Sequence, residues 1–254
     1  MRISFDLDGV LADMDAALAR LAKEEFGTSA PAPPAQAPPL APPPNAAGTN
    51  QPDAFEPATR ATQPPAPADE LPSALIAKLS PRQQTRVWQR VHETRNFWEA
   101  LEECEPGTVR RLQKLAHELR WDVLFVTQRP ATAGRTPQLQ SQHWLRRQGF
   151  EYPAVYTTQG SRGRIAAALT LDCHIDDRFE NCVDVATDSK AWPILVWRDE
   201  ASFAGITAGS AKLGIATVRT VREAIDKIVE AGRGLADEQD QETLLRRLKR
   251  AFGW

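Results

Sequence analysis

Acidic residues and a threonine follow three short strand-like stretches in this 254-residue chain. Asp6 and Asp8 come after the first stretch, Thr127 ends the second, and Asp176 and Asp177 end the third. Carboxylates that converge on one point repel each other unless a cation neutralises their charge. Hard oxygen ligands with positions left open for a phosphate select Mg²⁺. If the three stretches meet, these residue types predict a magnesium site.

The same residue types suit phosphoryl transfer. A carboxylate such as Asp6 can attack phosphorus, and an acid two residues later can protonate the leaving oxygen and then deprotonate the hydrolytic water. Thr127 offers a hydroxyl to a phosphoryl oxygen, and an arginine of segment 161–164 balances the charge that moves during transfer. Gln128 and Arg129 directly follow Thr127 and are candidate substrate contacts, with a surface ion pair as an equal alternative for Arg129.

The hydrophobic pattern predicts the elements that position these residues. Strands are predicted at 3–7, 122–127, 153–157, 172–176, 193–197 and 215–218, and helices at 14–26, 137–148, 163–170, 179–188 and 220–231, with a further helix that starts near Thr108. Short strands that are apolar on both faces indicate a parallel sheet covered by helices on each side. The predicted fold class is therefore α/β, with a doubly wound (Rossmann-like) parallel sheet that binds ligands at the carboxyl ends of its strands.

The segment from 16 to 105 is predicted to be inserted after the first strand. Within it, 14 of the 20 prolines lie between Pro31 and Pro72, a composition that buries too little apolar surface to offset its ordering entropy. Residues 30–72 are accordingly predicted to be a disordered Pro/Ala-rich insertion. One amphipathic helix is predicted further on, with these residues on its inward face: Val87, Val91, Thr94, Trp98 and Leu101.

Several aromatic and histidine residues have two interpretations. Trp88, Phe97 and Trp98 are interpreted as core side chains, with stacking on a nucleobase as the alternative. His174 lies inside a predicted strand next to the acids, and packing or a surface position is taken to explain it.

The order of these motifs resembles the haloacid dehalogenase superfamily of phosphohydrolases. Asp6-Leu7-Asp8-Gly9-Val10 is similar to its first motif, hhhDxDGx, and Thr127 after an apolar strand is similar to its second. Ile175-Asp176-Asp177 is similar to the fourth motif. The third motif is normally a lysine, and its best match here is Arg162, with Arg164 as the alternative. The matches appear in family order and cover residues 3–181.

The resemblance implies a role for each matched residue. Asp6 would be the nucleophile and a Mg²⁺ ligand, and Asp8 would be the general acid/base that ligates the metal through its backbone carbonyl. Thr127 and Arg162 would hold the phosphoryl group. Asp176 would be a direct metal ligand, and Asp177 an acid that supports the ligands without touching the metal.

The resemblance also implies a domain organisation. The insertion lies where the superfamily places its C1 cap, which would here be small and helical. The predicted division is a catalytic core at 1–15 and 106–232, a cap at 16–29 and 73–105, the insertion at 30–72, and a charged helix or tail at 233–254.

These features together predict a Mg²⁺-dependent phosphatase that acts on a small phosphomonoester through an aspartyl-phosphate. The DLDGVLAD start and the IDDRxEN segment resemble the 5′(3′)-deoxyribonucleotidase group, which favours a nucleoside monophosphate over a sugar phosphate. The alternative is a non-catalytic phosphate-binding or scaffold protein that uses its proline-rich arm to bind partners.

Composition excludes other classes of function. With 31 basic and 33 acidic residues, the chain lacks the positive charge that drives binding to nucleic acid polymers. No apolar run is long enough to cross a bilayer, and Asp6 and Asp8 interrupt any secretory signal. Three cysteines form no disulfide or metal-binding pattern, so a cytoplasmic protein is predicted, with its oligomeric state left open.

Overall fold

A computed structural model of the chain describes residues 1–27 and 79–232. The proline-rich insertion predicted at 30–72 and the charged tail predicted at 233–254 lie outside these residues, as do the parts of the predicted cap at 28–29 and 73–78.

Helices and strands alternate along most of the described chain. In order they are β1 (Arg2–Phe5), α1 (Met14–Phe26), α2 (Pro81–Glu93), a 3₁₀ helix (Phe97–Glu99), α3 (Thr108–Leu119), β2 (Asp122–Thr127), α4 (Pro137–Arg147), β3 (Ala154–Thr157), α5 (Arg162–Ala168), β4 (Cys173–Asp176), α6 (Phe179–Asp188), β5 (Trp192–Val196), α7 (Phe203–Ala211), β6 (Ala216–Val218) and α8 (221–232).

The six strands form one parallel sheet in the order β3-β2-β1-β4-β5-β6. The predicted α/β, Rossmann-like parallel architecture is thereby confirmed. Strand β1 lies at the centre, and the chain progresses outward on one side through β2 and β3 and on the other through β4 to β6. Because the strands are parallel, the carboxyl ends of β1, β2 and β4 share one edge, and β1 and β4 form the switch point where such folds bind ligands.

Apolar side chains cover both faces of the central strands. Ile3 and Phe5 lie on one face of β1 and are fully buried, and the adjacent Phe125 and Val126 of β2, which point to opposite faces, are both buried. The centre of the Phe125 ring lies 6.5 Å from the centre of the Phe5 ring and 5.0 Å from that of Phe150, which it meets edge-on. This two-sided burial explains why the strands read as short apolar runs in the sequence.

The described parts of the predicted cap pack into the same apolar cluster as β1. Leu18 of α1, Val87 and Val91 of α2, and Trp98 of the 3₁₀ helix are buried there together with Ile3. Phe97 and Trp98 are buried, which confirms core packing for these two aromatics.

The prediction of one continuous helix through Leu101 is wrong. Helix α2 ends at Glu93, and Thr94 is already extended. Asn96 then adopts a left-handed backbone with φ of 55°, and its N–H donates to the carbonyl of Ala133. The apolar spacing continues past this break because the aromatic side chains of the 3₁₀ helix also point inward. The hydrogen bond from Asn96 to Ala133 cannot be seen in that spacing, because Ala133 is remote in sequence.

Helix α7 was also missing from the sequence-based prediction. Its residues, Phe203–Ala211, are mostly small and include Gly205 and Gly209, so they show no clear apolar stripe. Elsewhere the predicted elements agree with the structure to within a few residues. None of the helices in 1–27 and 79–232 is long and apolar enough to cross a membrane.

Helices α5 and α6 approach so closely that only glycine fits at position 163. A Cβ there would overlap the carbonyl oxygen of Asp184 and lie 2.7 Å from the Cβ of Asp188. The Gly163 N–H donates to the Asp184 carboxylate at 2.8 Å, and the Ser161 hydroxyl donates to the same oxygen at 2.8 Å. This contact fixes the start of α5, where Arg162 lies.

We expect Gly163→Ala to lower the free energy of unfolding by about 1–3 kcal/mol, because the added methyl group forces the two helices apart. The matched control is Gly205→Ala in α7, where a Cβ meets nothing within 4 Å. That variant should be neutral or more stable by up to ~1 kcal/mol. Urea unfolding measures both, and equal stabilities would contradict the close packing of α5 on α6.

Candidate functional site

The structure brings Asp6 and Asp176 together at the carboxyl edge of the sheet. Arg162 joins them, with its Nη2 3.6 Å from the Asp6 Oδ1 and its Nε 3.9 Å from the Asp176 Oδ2. All three residues are buried. Segments that are far apart in sequence therefore meet at one point, as the strand-end pattern predicts. Arg164, the alternative to Arg162, is exposed.

The turn after β1 lies against the side chain of Asp177 at Gly9. Gly9 has φ of 76°, a left-handed conformation that glycine adopts without strain. A Cβ at this position would overlap the Asp177 carboxylate. The glycine of the Asp-x-Asp-Gly motif is therefore required both by the backbone turn and by the close approach of an acid from the end of β4.

Asp8 forms a buried ion pair with Arg129. The Arg129 Nε and Nη2 donate to the two Asp8 oxygens at 2.8 and 2.6 Å, a two-pronged geometry that is among the strongest in proteins. The third guanidinium nitrogen, Nη1, donates to the Ser141 hydroxyl at 2.9 Å. The guanidinium carbon also lies 5.0 Å from the centre of the Trp98 ring.

This placement differs from the surface ion pair that the sequence allowed for Arg129, because its side chain is fully buried. Contact between Arg129 and a substrate stays a prediction. The neighbouring Gln128 is partly exposed. Thr127 is buried, and its hydroxyl lies 3.5 Å from an Asp8 oxygen, at the outer limit of a hydrogen bond.

Three groups donate to the Asp176 carboxylate. The Arg178 N–H bonds one oxygen at 2.9 Å, His174 Nε2 lies 3.1 Å from the other, and the Asn181 amide contacts both at 3.1 and 2.9 Å. His174 Nδ1 in turn lies 2.7 Å from the hydroxyl of Ser4.

Ser4, His174 and Asn181 were not among the predicted site residues. A His-x-Asp spacing on a strand places both side chains on one face, and this spacing was the available signal for His174. The interpretation of His174 as a packing or surface residue missed its contact with Asp176. Asn181 belongs to the IDDRxEN segment, but its contact depends on where α6 begins.

Burial and mutual repulsion set the protonation of the acids. Burial raises the pKa of Asp6 well above its usual range, the negative charge of Asp176 raises it further, and Arg162 opposes both effects. Burial also raises the pKa of Asp177, again with help from Asp176 and against Arg198. For Asp176, burial acts in the same direction, but the hydrogen bond and charge of His174, together with Arg162, outweigh it and lower the pKa.

The donor set fits a hard divalent cation. Asp6, Asp8, Asp176 and Asp177 are four carboxyl groups at one edge, and two buried arginines, Arg129 and Arg162, face them. Within 1–27 and 79–232, no group of three or more Asp, Glu, His or Cys side chains is placed so that it could hold a metal ion by itself. Mg²⁺ needs no such group, because it is held by one or two carboxylates and keeps several waters. Asp6, Asp176 and the backbone carbonyl of Asp8 are the groups that would hold it.

One nitrogen of the Arg162 guanidinium is available to donate a hydrogen bond to a ligand. Its Nε is buried and makes no hydrogen bond within the described part of the chain. A buried N–H without a partner costs free energy comparable to a lost hydrogen bond. An oxyanion placed between Arg162 and the edge of the sheet would satisfy this donor.

No family model matches the chain, and no curated protein matches it.

The Asp8–Arg129 pair leads to a prediction about stability. Arg129→Leu should lower the free energy of unfolding by about 3–5 kcal/mol, because it leaves the Asp8 carboxylate buried without a partner. Arg135→Leu is the matched control, since the Arg135 side chain is 45% exposed in its ion pair with Glu99. That control should lose less than about 1 kcal/mol. Chemical denaturation measures both, and similar losses would show that the buried pair is not specially important.

Proposed function

We propose that this chain is a Mg²⁺-dependent phosphatase of the haloacid dehalogenase type, acting on a small phosphomonoester. The observation that carries the proposal is the buried Arg162 guanidinium, which lies within 4 Å of both Asp6 and Asp176 and whose Nε makes no hydrogen bond within the described residues. A nucleophile, a candidate metal ligand and a phosphate-binding group thus share one edge of the sheet. The ordered motif matches support the same assignment.

The proposed reaction has two steps, in which Asp6 and Asp8 act in turn. An Asp6 oxygen attacks phosphorus and forms the aspartyl-phosphate, while the bond from phosphorus to the leaving oxygen breaks and Asp8 gives that oxygen a proton. Water then attacks the aspartyl-phosphate and loses a proton to Asp8, which releases phosphate and restores the Asp6 carboxylate. Arg162 and Thr127 hold the phosphoryl oxygens throughout.

Two features of the site bear on these steps. Asp6 attacks only when ionised, although burial and Asp176 raise its pKa. Mg²⁺ would supply the positive charge that lowers this pKa and offsets the charge on the phosphate. Asp8 has both oxygens bonded to Arg129, so proton transfer requires the carboxyl group to release at least one of those bonds.

The substrate we propose first is a nucleoside monophosphate, and a sugar phosphate is second. The support is the resemblance of the DLDGVLAD and IDDRxEN segments to the 5′(3′)-deoxyribonucleotidase group. The C1 cap of the haloacid dehalogenase type and the cytoplasmic location stay predictions.

Phosphate release from a panel of phosphomonoesters, with Mg²⁺ and with EDTA, tests the proposal. We expect release only with Mg²⁺, and a loss of roughly 10³-fold or more in Asp6→Asn because the nucleophile is gone. Asp122→Asn removes an exposed carboxylate at the opposite end of β2 and should retain full activity.

Release in EDTA, or full activity in Asp6→Asn, would contradict the mechanism. A protein inert toward the whole panel would favour the non-catalytic alternative.

A second test separates the two arginines of segment 161–164. Arg162→Gln should lower kcat/KM by about 10²–10³-fold, because it removes a charged donor to the phosphoryl group. Arg162→Lys keeps the charge and should lose less, whereas Arg164→Gln should match the wild-type protein, because Arg164 is exposed. Steady-state kinetics on the best substrate measures this, and a greater loss in Arg164→Gln would reverse the assignment.

A further inference from the structure

Ser4, His174 and Asp176 form a buried polar line across the two central strands. Ser4 and His174 are direct partners in the register of β1 and β4, so their side chains leave the sheet on the same face. Asp176 is two residues beyond His174 and therefore points to that face as well. All three residues are at most 1% exposed, where an unsatisfied polar group is costly.

The His174 ring makes the same two contacts, to Ser4 and to Asp176, whether it is neutral or charged. An ionised Asp176 carboxylate, which is the form that ligates a cation, only accepts hydrogen bonds, so Nε2 of His174 carries the proton that faces it. If the ring is neutral, Nδ1 accepts from the Ser4 hydroxyl, and if it is charged, Nδ1 donates to the hydroxyl oxygen. Ser4 thus fixes the ring, and the ring holds one oxygen of Asp176.

His174 differs from the other donors to Asp176 in its origin. Arg178 and Asn181 belong to the loop and helix that follow β4, whereas His174 lies within β4 at the centre of the sheet. A donor within a central strand keeps its position when the loop above it moves. It therefore orients the carboxylate independently of the loop and helix that follow β4.

We propose that Ser4 and His174 are positioning residues that orient the Asp176 carboxylate for a divalent cation. This inference rests on the proposed function, because it takes Asp176 as a ligand of Mg²⁺. Groups that hydrogen-bond to a metal ligand fix its orientation, and their removal typically weakens metal binding by about 10–100-fold. Ser4 and His174 thus fix the orientation of Asp176 in addition to satisfying each other's hydrogen bonds in the core.

Isothermal titration calorimetry with Mg²⁺ alone, on the full chain, tests the proposal without any substrate. His174→Phe keeps a ring of similar size but donates nothing, and it should raise the Kd by about 10–100-fold. His174→Gln returns a donor near the position of Nε2 and should recover part of the affinity. Ser4→Ala keeps the His174 ring but removes the hydrogen bond at its Nδ1, and it should raise the Kd by roughly three- to tenfold.

Cys173→Ala is the matched control. Cys173 is buried in the same strand, but its side chain leaves the opposite face of the sheet. Its loss should reduce the melting temperature without metal and leave the Kd for Mg²⁺ unchanged. A purely structural role for His174 predicts that its variants behave in the same way as this control.

The outcomes separate the inference from the proposed function. If the wild-type chain binds no Mg²⁺, or if Asp176→Asn binds it equally well, both are overturned. If the wild type binds and Asp176→Asn does not, but His174→Phe, His174→Gln and Ser4→Ala keep the wild-type Kd, the inference alone is overturned. Should His174→Phe fail to fold, the Gln and Ser4→Ala variants still decide the result.

Discussion

Repulsion between buried carboxyl groups is the constraint on which the carboxyl edge of this sheet depends. Parallel strands direct their ends to one side, so acids placed after β1 and β4 are forced into proximity. The cost is visible in Asp6 and Asp177, whose pKa values are raised first by burial and then by neighbouring acids. Arg129 and Arg162 offset part of this charge from within the protein, and the remainder is what a divalent cation would offset under the proposed function.

Each arginine is itself held in place by elements outside the strands. Arg162 lies at the start of α5, which the contact of Gly163 with Asp184 locks against α6. Arg129 is held by Ser141 of α4 and faces Trp98 of the 3₁₀ helix. The Arg129 guanidinium therefore contacts both Asp8 and Trp98.

The agreement between sequence and structure varies with how local each interaction is. Strands and most helices are found where the apolar spacing predicts them, because burial on both faces imposes that spacing on the residues themselves. The break after Glu93 was not predicted, because it depends on a bond from Asn96 to the remote Ala133. Helix α7 has no apolar stripe to reveal it, since small residues and glycines form most of its length.

The candidate site divides in the same way. The residue types and their positions at strand ends were determined by the sequence alone, and they were enough to expect Asp6, Thr127 and Asp176 at one edge. Arg162 was expected there from the resemblance to a family motif, with Arg164 as the alternative. Only the tertiary structure decided that Arg129 turns inward to Asp8 and that His174 pairs with Ser4. A side chain's direction and its partner depend on strand register and helix packing, which join residues more than a hundred positions apart and leave no periodic signal in the chain.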